Sequence, residues 1–139
     1  MISNLMRMKK QQINIEYSLR STSANIIWKL ISTEEGLSRW IADEVKVSKD
    51  KYYFTWGDEW SHHEKRAADL LESVRNSHIR LRWEDETDPT AYLEMRMSRS
   101  EITGGFTLHV IDYALPEDVD SLYDIWEQNI DMLHQSTGL

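Results

Sequence analysis

The stretch TEEGLSRWIAD, residues Thr33–Asp43, decides how this chain folds, because its apolar side chains need a surface to pack against. Leu37, Trp40 and Ile41 share one side of the helix that the spacing predicts. A helix shorter than roughly 12–15 residues is marginal alone in water, so this segment depends on tertiary contacts. Gly36 costs such a helix about 1 kcal/mol relative to alanine. The presence of a glycine here is explained either by close packing against a neighbouring element or by a loosely formed helix start.

The segment STSANIIWKLIS, residues 21–32, predicts another short helix directly before this one. Its apolar side chains recur at helical spacing: Ala24, Ile27, Trp28 and Ile31. Thr22 or Ser23 can cap this helix, and Thr33 can cap the next one. The sequence therefore predicts two short helices in tandem, each with a tryptophan on its apolar side.

Seven other segments alternate apolar and polar residues with a period of two, which predicts β-strands. QINIEYSL precedes the two helices, and six segments follow them: EVKVS, KYYFTW, HHEKRAADLLESV, HIRLRWE, AYLEMRMS and FTLHVIDYA. The Gly104–Gly105 pair predicts a tight two-residue turn between the last two strands, and strands joined by turns this short are antiparallel.

The segment PEDVDSLYDIWEQNIDMLHQ, residues 116–135, predicts the longest helix. Its apolar side chains mark one face: Val119, Leu122, Tyr123, Trp126, Ile130 and Leu133. An antiparallel sheet with one apolar face must bury that face, and this helix is long enough to cover it. We therefore expect an α+β fold in which a seven-stranded antiparallel sheet wraps on the C-terminal helix. The two short helices lie between strands 1 and 2.

Composition limits the function before any motif does. The 139 residues fit one domain, expected over residues 12–136 after a tail at residues 1–11, with Met1 or Met8 as the start. Without cysteine there is no disulfide, thiolate metal site or cysteine nucleophile. A net charge of -8 disfavours nucleic acid as a partner. Because no segment has the apolar length of a signal peptide or membrane span, we expect a cytoplasmic protein without membrane insertion.

These elements, in this order, resemble the START-like superfamily, also called helix-grip or SRPBCC proteins. Within it, STEEGLSRWIADEV is similar to the branch named after the activator of the heat-shock-protein-90 ATPase, whose members carry T-x-x-x-L-x-x-W before a strand. Further similar motifs are YYFTWG, HIRLRWED, GGFTLHVIDYA and LYDIWEQNIDML, so the resemblance spans residues 12–135. FTWGDEWSHHE departs from the branch's glycine-containing hairpin. The resemblance implies a cavity between a concave sheet and the long helix, used for apolar ligands, for a few reactions or for docking a chaperone.

Given such a cavity, nine residues are expected to border it and to contact a ligand: Trp40, Trp56, Trp83, Leu93, Met95, Val110, Asp112, Trp126 and Ile130. Tryptophan side chains offer rigid walls for an apolar ligand, although core packing is the simplest explanation of Trp28 and Trp126. Met95 suits an irregular ligand or an ordinary core. Asp112 continues the face of Leu108 and Val110, so its carboxylate either projects toward the cavity or reaches solvent or caps the next turn.

Chemical signatures in the sequence are sparse. His62 and Glu64 share one strand face, but no third ligand is evident, so no metal site is predicted. The local signatures of acyl-transfer triads and nucleotide-binding loops are absent, and no cofactor or catalytic residue is predicted. Glu64 and Arg66 are the remaining polar candidates beside Asp112 for the inner face.

Three functions remain open, in this order. The first is non-catalytic binding of a small apolar or amphipathic molecule between the sheet and the C-terminal helix. The second is a protein-interaction module, co-chaperone-like or self-associating as a homodimer, with a filled core and with the sheet or the loop around Trp60 docking the partner. The third is an enzyme of the cyclase or hydrolase kind. An interior void smaller than roughly 300 Å³ would favour the second over the first.

Overall fold

The secondary structure follows the predicted order of one strand, two helices, six strands and one helix. The computed structural model describes residues 9–58 and 63–139. Its strands are β1 (Gln11–Ser18), β2 (Glu44–Ser48), β3 (Lys51–Trp56), β4 (Glu64–Val74), β5 (His78–Trp83), β6 (Leu93–Arg99) and β7 (Phe106–Ala114). Its helices are α1 (Ala24–Ser32), α2 (Glu34–Leu37) and α3 (Val119–Thr137), and a 3-10 turn at Pro116–Asp118 leads into α3.

All seven strands form one antiparallel sheet in the order β1-β7-β6-β5-β4-β3-β2. β1 pairs with β7 over its whole length, from Gln11 opposite Ala114 to Ser18 opposite Thr107. β1 and β2 therefore form the two edges of the sheet, and the segment that carries α1 and α2 connects one edge to the other. The predicted α+β architecture is confirmed.

The two short helices begin at the residues that their capping side chains select. The Ser23 hydroxyl accepts the Ile26 N–H at 3.3 Å, and the Thr33 hydroxyl accepts the Gly36 N–H at 3.0 Å. α2 has only four residues, so the predicted second helix is shorter than the stretch up to Asp43. A Cβ atom on Gly36 would lie 2.0 Å from the Lys29 carbonyl oxygen. Close packing of α2 against α1 is therefore the reason for this glycine.

Trp40 connects the short helices to the long one. Its side chain is buried, and its indole N–H donates to the Leu30 carbonyl at 3.1 Å. Its ring packs against the Trp126 ring, with the ring centroids 5.9 Å apart. The stretch Thr33–Asp43 thus packs between α1 and α3, and the tryptophan fills the space where they meet.

The inner face of the sheet forms the core with one face of α3. Alternating apolar residues of β5, β6 and β7 are buried on this face: Ile79, Leu81, Leu93, Met95, Met97, Phe106, Leu108 and Val110. α3 buries Trp126, Ile130 and Leu133, whereas Leu122 is half-buried and Tyr123 is 40% exposed. The apolar face predicted for α3 is therefore fully covered only in its second half. Within residues 9–58 and 63–139, no helix is long and apolar enough to cross a membrane.

The outer face of the sheet buries one carboxylate between two arginines. The Arg80 guanidinium pairs with the Glu94 carboxylate across β5 and β6 at 2.7 Å, as expected for cross-strand neighbours. Arg96 approaches the same carboxylate at 3.3 Å. The two arginines enclose Glu94, which is only 2% exposed. Local alternation places Glu94 on the outer face but does not reveal that its neighbours cover it.

Candidate functional site

A cavity of about 450 Å³ lies between α3 and one end of the sheet. The sheet lines it with Trp56, Glu64, Arg66, Trp83, Leu93 and Asp112. These residues lie near the end of β3, the start of β4, the end of β5, the start of β6 and the end of β7. In an antiparallel sheet the end of one strand lies beside the start of the next, so they gather at one end.

The remaining lining comes from the first half of α3 and from the segment after α2. α3 contributes Leu122, Ile125, Trp126, Gln128 and Asn129, and Ile41 completes the lining. Leu122 is half-buried, since it packs against the core on one side and lines this space on the other. The void exceeds the roughly 300 Å³ that a ligand pocket needs.

Two tryptophans form an aromatic wall on the sheet side of the cavity. The ring centroids of Trp56 and Trp83 are 6.3 Å apart, and the Phe54 ring lies beneath them, 5.3 Å from Trp83. The Trp56 indole N–H donates to the Ile41 carbonyl at 2.8 Å, which fixes the orientation of that ring. A wall held in this way contacts a flat or apolar ligand at little entropic cost.

Asp112 is the polar centre of the cavity. Its Oδ2 accepts the Trp126 indole N–H at 2.8 Å, and its Oδ1 accepts its neighbour Tyr113's backbone N–H at 2.8 Å. Burial raises the pKa of the Asp112 carboxyl from 3.8 to about 6, although both N–H donors favour the charged form. Asp112 is therefore ionised at neutral pH and exchanges its proton just below it.

The positive charge in the lining already has a partner. Arg66 pairs with the Asp85 carboxylate at 2.9 Å, and its guanidinium carbon lies 4.0 Å from the centroid of the Trp83 ring. Across residues 9–58 and 63–139, no ion pair joins Asp112 or Glu64 to a cation. The cavity thus has an excess of negative charge.

The structure brings five of the nine predicted ligand residues into the lining: Trp56, Trp83, Leu93, Asp112 and Trp126. The other four are buried in the core outside it: Trp40, Met95, Val110 and Ile130. Trp40 borders an adjoining pocket of about 250 Å³ between residues 38–43 and α3. Strand alternation identifies the inner face but not the end of the sheet where the void lies. Ligand contact by any of the nine stays a prediction.

Sequence reasoning missed the contribution of α3 beyond Trp126. Ile125, Gln128 and Asn129 fall outside the predicted apolar stripe, yet all three line the cavity. One feature of the sequence could have indicated this contribution: Ile125 is an apolar residue on the polar side of an amphipathic helix. Its side chain remains 52% exposed at the border of the cavity.

Two residues considered in the sequence, Trp60 and His62, lie outside the described residues. Within the described chain, no three histidine, aspartate or glutamate side chains are grouped as metal ligands. The described lining also contains no serine, cysteine, histidine or lysine. The chemistry available from the described lining is therefore hydrogen bonding and proton exchange at Asp112.

We expect Asp112→Asn to increase stability at about pH 8 by about 1–2 kcal/mol. The pKa of Asp112 is about 6 in the folded state and 3.8 in the unfolded state. The protein therefore loses stability as the pH rises from about 4 to about 6, and it remains less stable at any higher pH. Asparagine removes this penalty but supplies only one acceptor oxygen, which offsets part of the gain. Urea unfolding at several pH values measures the effect.

The matched control for this prediction is Asp124→Asn, which makes the same change on an exposed position of α3 outside the cavity lining. It should leave stability within about 0.5 kcal/mol of the wild type. The Asp112→Asn protein should also lose part of the decline in stability between about pH 4 and pH 6. A variant less stable than the wild type at pH 8 would contradict the burial penalty.

The comparisons with known proteins identify the family. The family model described as a START-like superfamily domain matches residues 6–139, so this chain belongs to the START-like superfamily. The solution NMR structure of BfR322 from Bacteroides fragilis is 35% identical, with a TM-score of 0.61 over 92% of this chain and 91% of that one. The resemblance seen in the sequence is confirmed at the level of the superfamily.

Two more distant structures share the fold. The solution structure of the Aha1 dimer from Colwellia psychrerythraea has a TM-score of 0.68 at 10% identity, over 92% of this chain and 98% of that one. The crystal structure of CalU16 from Micromonospora echinospora has a TM-score of 0.67 at 18% identity, over 91% and 75%. At these identities the likeness concerns the fold alone. No curated protein matches the chain.

Proposed function

We propose that this protein binds a small amphipathic molecule between α3 and the sheet and performs no chemistry on it. The observation that carries this proposal is the cavity of about 450 Å³, with an aromatic wall on one side and the half-buried carboxyl group of Asp112 on another. Ligand pockets typically combine a mostly apolar lining with a few placed polar groups. Superfamily membership agrees with this role, since START-like domains commonly bind ligands or mediate interactions.

The lining supports a defined orientation of the ligand. The apolar part contacts the Trp56–Trp83 wall on the sheet and Leu122 on the helix. The polar part lies at Asp112, whose carboxylate is held in place by the Trp126 and Tyr113 N–H groups. Because this polar group is already held in place, little conformational freedom is lost when the ligand binds, which favours binding in one orientation.

Binding without catalysis fits the described lining better than an enzymatic role. The described lining offers carboxyl groups at Asp112 and Glu64 but no serine, cysteine, histidine or lysine, so it lacks the usual pairing of a nucleophile with an adjacent histidine or lysine base. Asp112, Glu64 and Arg66 do line the same space, but Arg66 is engaged by Asp85. The cavity also argues against a purely interacting module, which was expected to have a filled interior.

We expect Leu122→Trp to abolish ligand binding, because a larger side chain at this half-buried position occupies the cavity. The probe is N-phenylnaphthylamine, a neutral dye whose emission rises in apolar surroundings. Wild-type protein should bind it saturably. At a dye concentration about 100-fold above Kd, binding should add about 2.7 kcal/mol of stability, seen as a higher melting temperature.

Tyr123→Trp is the matched control, since it places the same side chain at the next position of α3, outside the lining. It should bind the dye as the wild type does, and circular dichroism should show both variants folded. Equal dye binding by folded Leu122→Trp would place the ligand elsewhere. Failure of the wild type to bind dye, fatty acids, sterols or flat aromatics would favour an interaction role, for which α3 exposes Tyr123, Ile125 and Met132.

A further inference from the structure

The charge balance of the cavity indicates which polar group a ligand carries there. Asp112 and Glu64 both line the space, and neither has an ion-pair partner in the described chain. Arg66 is paired with Asp85 and stacked on Trp83, and its charge also favours the ionised form of Asp112, so two carboxyl groups in the lining face one guanidinium that Asp85 already shares. A ligand that neutralises this site brings a positive charge.

Asp112 has the geometry to bind such a group directly. A carboxylate offers about four acceptor positions, and the Trp126 and Tyr113 N–H groups use two of them. These two bonds fix the carboxylate, and the remaining lone pairs are free to accept from a ligand. An ammonium group has three N–H donors and forms charge-assisted hydrogen bonds, which are about twice as strong as neutral ones.

We propose that the ligand of this cavity is an amphipathic amine, with its ammonium group bound to Asp112 and its apolar body against the Trp56–Trp83 wall. This inference rests on the proposed function. Tryptophan adds to the preference for a cation, because its ring quadrupole attracts an ammonium group placed over it. Three tryptophans line the cavity: Trp56, Trp83 and Trp126.

The same lining disfavours a carboxylic acid of equal size. Its carboxylate would lie beside Asp112 and Glu64, and like charges in a partly buried site repel one another. To bind it, Arg66 would have to leave Asp85 and the Trp83 ring. The net charge of -8 also repels anions at long range.

The test compares three compounds with one apolar body: naphthylmethylamine, naphthylmethanol and naphthoic acid. Isothermal titration calorimetry at about pH 8, above the pKa of about 6 of the Asp112 carboxyl, measures each Kd. Physiological salt screens attraction to the acidic surface. We expect the amine to bind about tenfold tighter than the alcohol, as a hydrogen bond to a charged group implies, and the acid to bind most weakly.

Asp112→Asn should bring the amine and the alcohol within about twofold of each other, chiefly by weakening the binding of the amine. Asp124→Asn, which removes the same charge outside the cavity, should keep the preference of the wild type for the amine.

Three outcomes would contradict this inference. If the acid binds most tightly, the ligand is not an amine, but the proposed function still holds. An amine preference that survives in Asp112→Asn would exclude Asp112 as the recognition group. If none of the three binds saturably, the proposed function fails and this inference with it.

Discussion

Trp126→Ala is expected to lower the free energy of unfolding by about 3–5 kcal/mol, the range for truncating a large aromatic side chain in a core. Trp126 is 4% exposed and packs against Trp40, so the substitution removes contacts on α3 and on the segment after α2. It also removes the N–H that donates to Asp112. Urea unfolding followed by far-UV circular dichroism measures the loss without depending on tryptophan emission.

Two variants of α3 make this result interpretable. Trp126→Phe keeps an aromatic ring but loses the indole N–H, so the cost should be smaller while the pKa of Asp112 rises further. Tyr123→Ala, at a position 40% exposed, should cost no more than about 1 kcal/mol. If Trp126→Ala were as mild as Tyr123→Ala, α3 would not be anchored through this side chain.

Gly36→Ala is expected to destabilise the protein by about 3 kcal/mol, at the upper end of the cost of overpacking. The added Cβ would lie 2.0 Å from the Lys29 carbonyl oxygen and 2.7 Å from the Leu30 Cα, and both are backbone atoms of α1. Backbone atoms cannot move aside as a flexible side chain can, so α2 would have to shift away from α1. Urea or thermal unfolding measures the change.

The sign of this effect separates packing from helix propensity. In an open helix, glycine to alanine would stabilise by about 1 kcal/mol, so a stabilised Gly36→Ala protein would refute the close approach of α1 and α2. Gly105→Ala is the control, because its nearest neighbours would be the Thr103 hydroxyl at 3.4 Å and the Leu19 carbonyl at 3.6 Å. It should remain within about 1 kcal/mol of the wild type.

These two residues belong to one chain of contacts that ends at the candidate site. Gly36 lets α2 approach α1, and Trp40 then donates to the Leu30 carbonyl of α1 while packing on Trp126. Trp126 in turn donates to Asp112 in the cavity. A disturbance at Gly36 should therefore weaken ligand binding as well as stability, although Gly36 lies outside the lining.

The sequence alone determined the elements, their order along the chain and the antiparallel character of the sheet. Period-two alternation identified the strands, and the caps at Ser23 and Thr33 located the starts of the short helices. These signals are local, because they depend on side-chain direction within one element and on hydrogen bonds a few residues away. For the same reason they placed Leu108 and Val110 on the inner face correctly.

Only the tertiary structure decided whether the interior is filled and which side chains meet there. Trp40 and Trp83 are both large apolar residues at positions predicted to face inward. Trp40 lies in the core, whereas Trp83 lines the cavity. The sequence left open whether Asp112 projects into the cavity or instead reaches solvent or caps the next turn. In the structure it lines the cavity and is hydrogen-bonded to Trp126. The void depends on the distance between α3 and the end of the sheet. That distance results from many side chains packing across layers, and no local pattern in the sequence encodes it.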